Sequence, residues 1–286
     1  MAKIGVQAMM LKDKFEELGP YETLSRITDL GYHAVEISQI PMTAENVAEL
    51  ARARDELGMD VGALSATVEP NPTGTGEALS TDFDKIVDDA NTLGARYIRI
   101  GMMPLTAMAS LEQVLDFCRK ADEAAARLAG QGIGLYYHNH HIEFAKYDGK
   151  RLLDIINETA PNLRLELDVH WVQRGGGDPV RTLQRYADRT DLVHLKDYRI
   201  GQIDPAVFEA LANGDRGAFT QAFSNVVQFA EVGEGSLDFK EIVDQAVANG
   251  VKYMFVEQDQ LYGRDVFDAL KISHDNLVSL GFADLF

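Results

Sequence analysis

The sequence is organised around the stretch Tyr136-Tyr137-His138-Asn139-His140-His141-Ile142-Glu143-Phe144. Three of the seven histidines and one carboxylate lie at the end of this predicted strand. Side chains alternate between the two faces of a strand, so one face is apolar and the other carries Tyr136, His138 and His140. For each histidine alone, a solvated position at a strand end is the simpler interpretation. A polar centre is indicated only if other strands direct ligands to the same point.

Short apolar runs with strand spacing recur along the whole chain. They predict eight strands, at residues 4–8, 34–38, 61–67, 97–102, 133–140, 163–168, 192–196 and 252–257. Amphipathic helical stretches separate them, and strict alternation of strand and helix predicts a parallel sheet. Eight such units predict a (β/α)8 TIM barrel, an α/β fold. An open doubly wound sheet is the rival fold, but no Gly-x-Gly-x-x-Gly follows the first strand.

An extra helical segment over residues 200–232 interrupts this rhythm between the seventh and eighth strands. It includes predicted helices at residues 205–211 and 218–229. Insertions after barrel strands lie on the active-site face. We interpret the segment as a lid, a substrate wall or a subunit contact of a homo-oligomer, with plain helical elaboration as the alternative. No low-complexity or Pro/Ser-rich linker divides the chain, so residues 1–286 are expected to form one domain.

Composition is typical of a soluble globular protein, with 46% hydrophobic and 25% charged residues. No apolar run approaches the ~20 residues that span a bilayer. The first residues enter a strand pattern directly, without the regions of a signal peptide, and we therefore expect a cytoplasmic protein. The net charge of −18 repels a phosphate backbone, which argues against nucleic acid or an anionic membrane as partner. The single Cys118 excludes an internal disulfide and a cysteine-based zinc site.

Ionisable residues collect on the inward phase of the predicted strands. They converge near the carboxyl-terminal strand ends, where barrel active sites lie, and comprise Glu36, Arg99, Arg164, Glu166, Asp168, His170, His194, Lys196, Glu257 and Asp259. Burying unpaired carboxylates is strongly unfavourable, so the set needs compensating positive charge. One interpretation is a divalent cation; the alternative is a network in which Arg99, Arg164 and Lys196 neutralise the acids without a metal.

A cation here would meet oxygen and nitrogen ligands. Asp168, His194 and Glu257, with a fourth ligand from the fifth strand, suit Mn²⁺, Mg²⁺ or Co²⁺ and are accessible to Zn²⁺. Neighbours of metal ligands often orient them, so His170 is expected to orient Asp168 or to contact substrate. Glu36 and Arg99 are expected to bind substrate hydroxyls or to pair within the barrel. Trp171 and Phe255 are candidates for an apolar wall against a sugar, with core packing as the alternative.

Several runs resemble the xylose-isomerase-like TIM barrels, the sugar phosphate isomerase/epimerase family. They occur in the family's order and are His138 to Phe144, Leu167-Asp168-Val169-His170-Trp171, Val193-His194-Leu195-Lys196-Asp197, Val232-Gly233-Glu234-Gly235 and Val256-Glu257-Gln258-Asp259. The match covers the chain from Ile4 onward. The resemblance implies one divalent ion, most often Mn²⁺, with Asp168, His194 and Glu257 at three ligand positions.

The fourth ligand departs from the family pattern. It is usually a glutamate on the fifth strand, and here His138 aligns with it while Glu143 competes for the role. In the epimerases of the family two glutamates face each other across the substrate, so His138 replaces one of them. The inosose dehydratases resemble this chain in carrying His-x-His on that strand. Endonuclease IV shares the barrel, but its three zinc ions need more histidines than this chain offers.

The resemblance implies a small-molecule sugar or polyol substrate with a ketone. We expect an isomerase or epimerase that acts through an enediolate; the alternatives are a lyase of the inosose dehydratase type and a sugar-binding barrel without turnover. Acid–base chemistry is expected from Glu257 with Glu143 or His140. Lys196 is expected to hold a substrate oxygen, or else to pair with Asp197 or Glu166.

Overall fold

The computed structural model describes residues 2–71 and 76–286, and these form a closed barrel of eight parallel strands. The strands follow one another around the barrel in sequence order, and the last pairs with the first. They are β1 Lys3–Gln7, β2 Ala34–Ile37, β3 Asp60–Ser65, β4 Tyr97–Ile100, β5 Gly134–His138, β6 Arg164–Asp168, β7 Thr190–Leu195 and β8 Tyr253–Val256. The predicted (β/α)8 barrel is confirmed.

Helices separate the strands, and most of them pack on the apolar outer face of the barrel. They are α1 Lys12–Leu18, α2 Pro20–Asp29, α3 Ala44–Leu57, α4 Phe83–Leu93, α5 Leu111–Ala129, α6 Leu152–Thr159, α7 Val169–Arg174, α8 Pro179–Arg185, α9 Pro205–Ala212, α10 Arg216–Ser224, α11 Phe239–Ala248 and α12 Val266–Ser279. Side-chain caps start several of them, as where Thr43 accepts from the Asn46 N–H. Gly58 and Gly94 end α3 and α4 with φ of 68° and 73°, a left-handed conformation that glycine adopts without strain.

The amino-terminal half of the barrel interior is filled by an aromatic layer, which consists of Tyr97, Tyr136, Tyr253 and Phe255. Tyr97 meets Tyr136 edge to face at 5.3 Å between ring centroids, and Tyr253 stacks on Phe255 at 5.6 Å. These rings close the barrel from below. The fully buried ionisable residues of the inward phase lie on the other side of this layer, in the carboxyl-terminal half.

The insertion between β7 and β8 contains a two-stranded antiparallel ribbon as well as helices. Asp197–Ile200 pairs with Val227–Ala230, and α9 and α10 lie between the two strands. The prediction of one helix over residues 218–229 is therefore wrong at its end, because α10 stops at Ser224 and the following residues pair with a distant strand. None of the residues of α9 and α10 is buried. Residues 2–71 and 76–286 include no helix that could span a membrane.

Candidate metal centre

His138 is the last residue of β5 and directs one ring nitrogen into the barrel. Its Nδ1 lies 3.2 Å from the Gly101 carbonyl oxygen. A carbonyl only accepts, so Nδ1 carries the hydrogen and Nε2 keeps its lone pair. That Nε2 is 3.5 Å from Asp168 Oδ2 and 4.0 Å from Glu257 Oε2. Burial and the neighbouring His194 lower the pKa of His138 well below its usual range, which keeps this nitrogen unprotonated.

Asp168 ends β6, and its two carboxylate oxygens have different surroundings. Oδ1 caps α7 by accepting from the Trp171 N–H at 2.9 Å. Oδ2 has no hydrogen-bond partner among residues 2–71 and 76–286, and the same is true of His138 Nε2. The side-chain oxygen of Asn139 accepts the Asp168 N–H at 3.1 Å and fixes the strand end. Two buried, unpartnered ligand atoms thus face each other across a short gap.

His194 lies on β7 and reaches carboxylates with both ring nitrogens. Nδ1 contacts Glu257 Oε2 and lies 4.0 Å from Asp168 Oδ2. Nε2 lies 3.1 Å from Glu36 Oε1 and 3.2 Å from Glu166 Oε1. Although burial disfavours the charge, the carboxylates of Glu166 and Glu36 hold the pKa of His194 well above its usual range.

Four of these side chains form a cluster that we call the cation site: His138, Asp168, His194 and Glu257. Each is buried and offers one ligand atom within 4.8 Å of the others. Two imidazole nitrogens and two carboxylate oxygens are a donor set that borderline divalent ions accept. The unpartnered atoms of His138 and Asp168 point into the same space, so the residues present fit a divalent cation.

The charges around the cation site favour the same ion. Among the described residues, four buried carboxylates face two cationic side chains here: Glu36, Glu166, Asp168 and Glu257 against Arg99 and Lys196. Two negative charges remain, and buried unpaired charge is strongly unfavourable. A proton compensates in part, because the carboxylates of Glu166 and Glu36 hold His194 protonated. One divalent ion would supply the same two charges.

Lys196 brings an ammonium group to the rim of the cation site. Its Nζ lies 2.9 Å from Asp259, 3.5 Å from Glu257 Oε1 and 3.7 Å from Asp168 Oδ2. Although burial disfavours the charge, Glu257 and Asp168 keep the pKa of Lys196 above its usual value. The structure pairs Lys196 with none of the partners considered from sequence. Asp197 instead accepts backbone N–H groups, including that of Gly235 at 3.0 Å.

An aromatic wall stands beside Lys196. Trp171 and Phe229 lie beneath the ammonium, with ring centroids 4.9 Å and 5.4 Å from Nζ. His170 packs against Phe229 and Tyr198, each at 5.2 Å between centroids. Tyr198 and Phe229 come from the ribbon of the insertion and were missed from sequence. The strand alternation of residues 227–230 was the available signal.

The chain matches the family model described as xylose isomerase-like TIM barrel over residues 24–265. It belongs to this family. Curated relatives include the rhizopine catabolism protein MocC of Rhizobium meliloti, 29% identical over 58% of this chain and 49% of that protein. The inosose dehydratase of Geobacillus kaustophilus is 32% identical over 52% of this chain and 46% of that protein. The matched region thus spans about half the length of these curated relatives.

Solved structures share the fold over nearly the whole chain. A sugar phosphate isomerase/epimerase from Parabacteroides distasonis has a TM-score of 0.71 at 23% identity, covering 97% of this chain and 98% of its own. An L-ribulose 3-epimerase has a TM-score of 0.66 at 16% identity, covering 99% and 96%. The probable 3-DHS dehydratase of Bacillus anthracis has a TM-score of 0.63 at 15% identity, covering 97% and 99%. At these identities the likeness shows the fold alone.

In this xylose isomerase-like barrel, Glu143 lies apart from the cation site. Its Oε1 accepts from the Tyr137 hydroxyl at 2.6 Å and its Oε2 from the His140 N–H at 2.7 Å. Both oxygens therefore hold the turn after β5. The structure brings His138, and not Glu143, to the other three candidate ligands.

Three candidates for substrate contact, Phe255, Glu36 and Arg99, lie below the cation site in the barrel interior. Phe255 belongs to the aromatic layer, so the structure places it outside the wall that Trp171 forms. Arg99 Nε lies 3.2 Å from Glu36 Oε1 and 2.8 Å from Glu166 Oε2, and Glu36 is fully buried. Glu36 and Arg99 thus pair within the barrel, beneath His194. Of the two roles considered from sequence, this is pairing within the barrel and not contact with substrate hydroxyls.

Proposed function

We propose that this chain is a divalent-metal-dependent lyase that removes water from a keto-polyol or keto-sugar. The observation that carries the proposal is the pair formed by Glu257 and Lys196, whose carboxylate oxygen and ammonium nitrogen lie 3.5 Å apart at the cation site. A base and an acid side by side suit an elimination. The similarity to inosose dehydratases supports this reading over the isomerase expected first from sequence.

His138, Asp168, His194 and Glu257 would hold the ion, and Mn²⁺ is the first candidate for this mixed donor set. When bound, a divalent ion withdraws electron density from a substrate carbonyl and makes the neighbouring C–H more acidic. The chain's own residues supply the other functions. The aromatic wall of Trp171 and Phe229 offers an apolar surface to a sugar or polyol ring and limits access of water to Lys196.

Glu257 is proposed as the general base. Although burial disfavours its charge, Lys196 and His194 hold the pKa of Glu257 well below its usual range, so it is ionised and can accept a proton. It takes the proton from the carbon next to the ketone, and the C–H electron pair forms an enediolate. The enediolate then forms a double bond between the deprotonated carbon and its other neighbour, the carbon that bears the leaving hydroxyl. The C–O bond of that neighbour breaks in the same step. Lys196 gives its proton to the departing hydroxyl, which leaves as water.

The neighbouring imidazoles favour elimination over epimerisation. An epimerase delivers a proton to the second face of its intermediate and needs a protonated group there. Near the cation site, burial lowers the pKa values of His140 and His170 to about 3 and about 4. Both imidazoles are therefore uncharged at neutral pH. Glu257 and Lys196, the charged proton carriers, lie 3.5 Å apart.

An isomerase or epimerase remains the second candidate function, on one observation. The Nδ1 atom of His140 is buried and has no hydrogen-bond partner in the described residues, so its lone pair is free to accept a second proton. Turnover of inososes and ketoses in D₂O with added Mn²⁺ distinguishes the two functions. Water loss with an enone or diketone absorbance supports the lyase, whereas deuterium incorporation without water loss supports the isomerase. Binding without either change would contradict both.

A further inference from the structure

A second group of potential metal ligands lies one layer deeper in the barrel than the cation site. It consists of Glu36, Glu166 and His194, whose ligand atoms also lie within 4.8 Å of one another. All three side chains are fully buried. The group shares His194 with the cation site, so its chemistry determines how His194 faces the ion.

Arg99 already supplies a cation to this deeper group. Its Nε contacts Glu36 Oε1 at 3.2 Å and Glu166 Oε2 at 2.8 Å, and its Nη1 donates to Ser38 Oγ at 2.9 Å. A guanidinium is planar and permanently charged, so it pairs with two carboxylates in a fixed geometry. A metal ion here would meet this positive charge beside its own ligands. The deeper group is therefore filled from within the chain.

His194 turns its two ring nitrogens towards different layers. Nε2 faces Glu36 Oε1 at 3.1 Å and Glu166 Oε1 at 3.2 Å, and carboxylate oxygens accept hydrogen bonds. Nε2 therefore carries a hydrogen. Nδ1 is the nitrogen that faces Glu257 and Asp168 in the cation site. A neutral imidazole with its hydrogen on Nε2 keeps the Nδ1 lone pair for a ligand.

We propose that Glu36, Glu166 and Arg99 are positioning residues that fix His194 as the Nε2–H tautomer and so present Nδ1 to a divalent ion. The inference rests on the proposed function only in requiring that an ion binds at His194. Carboxylates that accept from a ligand imidazole also make its other nitrogen a better donor to the metal. Glu36 and Arg99 then act on the substrate only through His194.

The substitution Glu166→Gln reverses this arrangement while keeping the side chain's shape. Arg99 would attract the amide oxygen, so the amide N–H₂ would face His194 Nε2 and favour the opposite tautomer. We expect the affinity for Mn²⁺, measured by calorimetry at neutral pH, to fall roughly 10–100-fold, as when other partners of metal ligands are lost. Glu36→Gln should change the affinity in the same direction and serves as a second variant.

Asp191→Asn is the matched control. Asp191 pairs with Arg164 and Tyr136 in the barrel interior but does not contact His194. The substitution should leave the Mn²⁺ affinity within about twofold of the wild-type value, as expected for a distant, independent site. The melting temperature of each metal-free variant, followed by circular dichroism, separates loss of fold from loss of positioning.

The tautomer itself can be read by ¹⁵N NMR of the histidine-labelled, Zn²⁺-loaded protein. We expect His194 to carry its hydrogen on Nε2 in the wild type, and on Nδ1 or on both in Glu166→Gln. Unchanged Mn²⁺ affinity and tautomer in both variants, with lower melting temperatures only, would overturn the inference and leave the metal-dependent function standing. Failure of the wild type to bind Mn²⁺ would overturn both.

Discussion

The two ends of the barrel interior carry similar polar residues, half-buried at the amino-terminal end and fully buried at the other, but satisfy them differently. At the amino-terminal end, Asp191 accepts from the Tyr136 hydroxyl at 2.7 Å and pairs with Arg164, and Asp60 accepts from Tyr253 at 2.7 Å. At the other end, His138 Nε2 and Asp168 Oδ2 have no hydrogen-bond partner among the described residues. Buried polar groups are nearly always paired, so unpaired ones need an explanation. The contrast indicates that one end is built for stability and the other for a ligand.

The strongest test of this contrast is Glu257→Gln. The substitution keeps the side chain's size but removes the proposed base and one charge of the cation site. We expect kcat to fall by about 10³-fold, within the range of general acid–base catalysis. Steady-state kinetics on a substrate found in the D₂O assay would show the loss. Asp191→Asn, at the other end of the barrel, is the control, and equal losses in both variants would remove the distinction between the two ends.

His138→Gln should weaken ion binding with little effect on folding. It removes a preformed nitrogen ligand, so the Mn²⁺ affinity should fall by at least the ~10–100-fold that loss of a supporting residue costs. Competition with a coloured chelator measures the affinity, and the melting temperature of the metal-free protein reports the fold. Wild-type affinity in His138→Gln would show that the fourth ligand is a different residue, and Glu143→Gln would then be the variant to measure.

Ion binding should release protons. In the metal-free protein the raised pKa of His194 keeps both ring nitrogens protonated at neutral pH, and the Nδ1 proton must leave before an ion can bind. The Mn²⁺ affinity should therefore increase with pH below that raised pKa, by about tenfold per pH unit for each proton released. Calorimetry in buffers of different ionisation enthalpy counts the protons. A pH-independent affinity would contradict the predicted exchange of protons for metal.

The smallest expected effect lies at the amino-terminal end. Tyr136→Phe removes one hydrogen bond to Asp191, which keeps its pairing with Arg164. The free energy of unfolding should fall by about 1.5–3 kcal/mol, as for a hydrogen bond to a charged group. Urea denaturation measures the change. Mn²⁺ affinity and kcat should stay at wild-type values, and a clear fall in either would show that the two ends are coupled.

Sequence periodicity was sufficient to predict the barrel and to predict which candidate ligands face its interior. Alternation along a strand determines which side chains face inward, and parallel strands bring their carboxyl ends together. For this reason Asp168, His194 and Glu257 could be grouped before their distances were known. On β5 the same phase offered both His138 and His140. The family resemblance singled out His138, with Glu143 as a competitor, and the structure places His138 beside the other three.

Features that depend on turns and distant contacts could not be predicted in the same way. Glu143 offered a carboxylate near the ligands, but the turn after β5 directs it to Tyr137 and to the His140 N–H. Phe229 was assigned to a helix because the pairing partner of its strand lies about thirty residues earlier, in the first strand of the ribbon. The turn has no local sequence period, and the alternation within residues 227–230 does not identify their partner strand.

The central claim is that one divalent ion is held by His138, Asp168, His194 and Glu257. A crystal structure of the protein grown with Mn²⁺, with anomalous scattering to locate the ion, tests it most directly. The account predicts one anomalous peak about 2.0–2.3 Å from His138 Nε2, Asp168 Oδ2, His194 Nδ1 and a Glu257 oxygen. A cation site without a peak, or a peak between Glu36 and Glu166 instead, would contradict it.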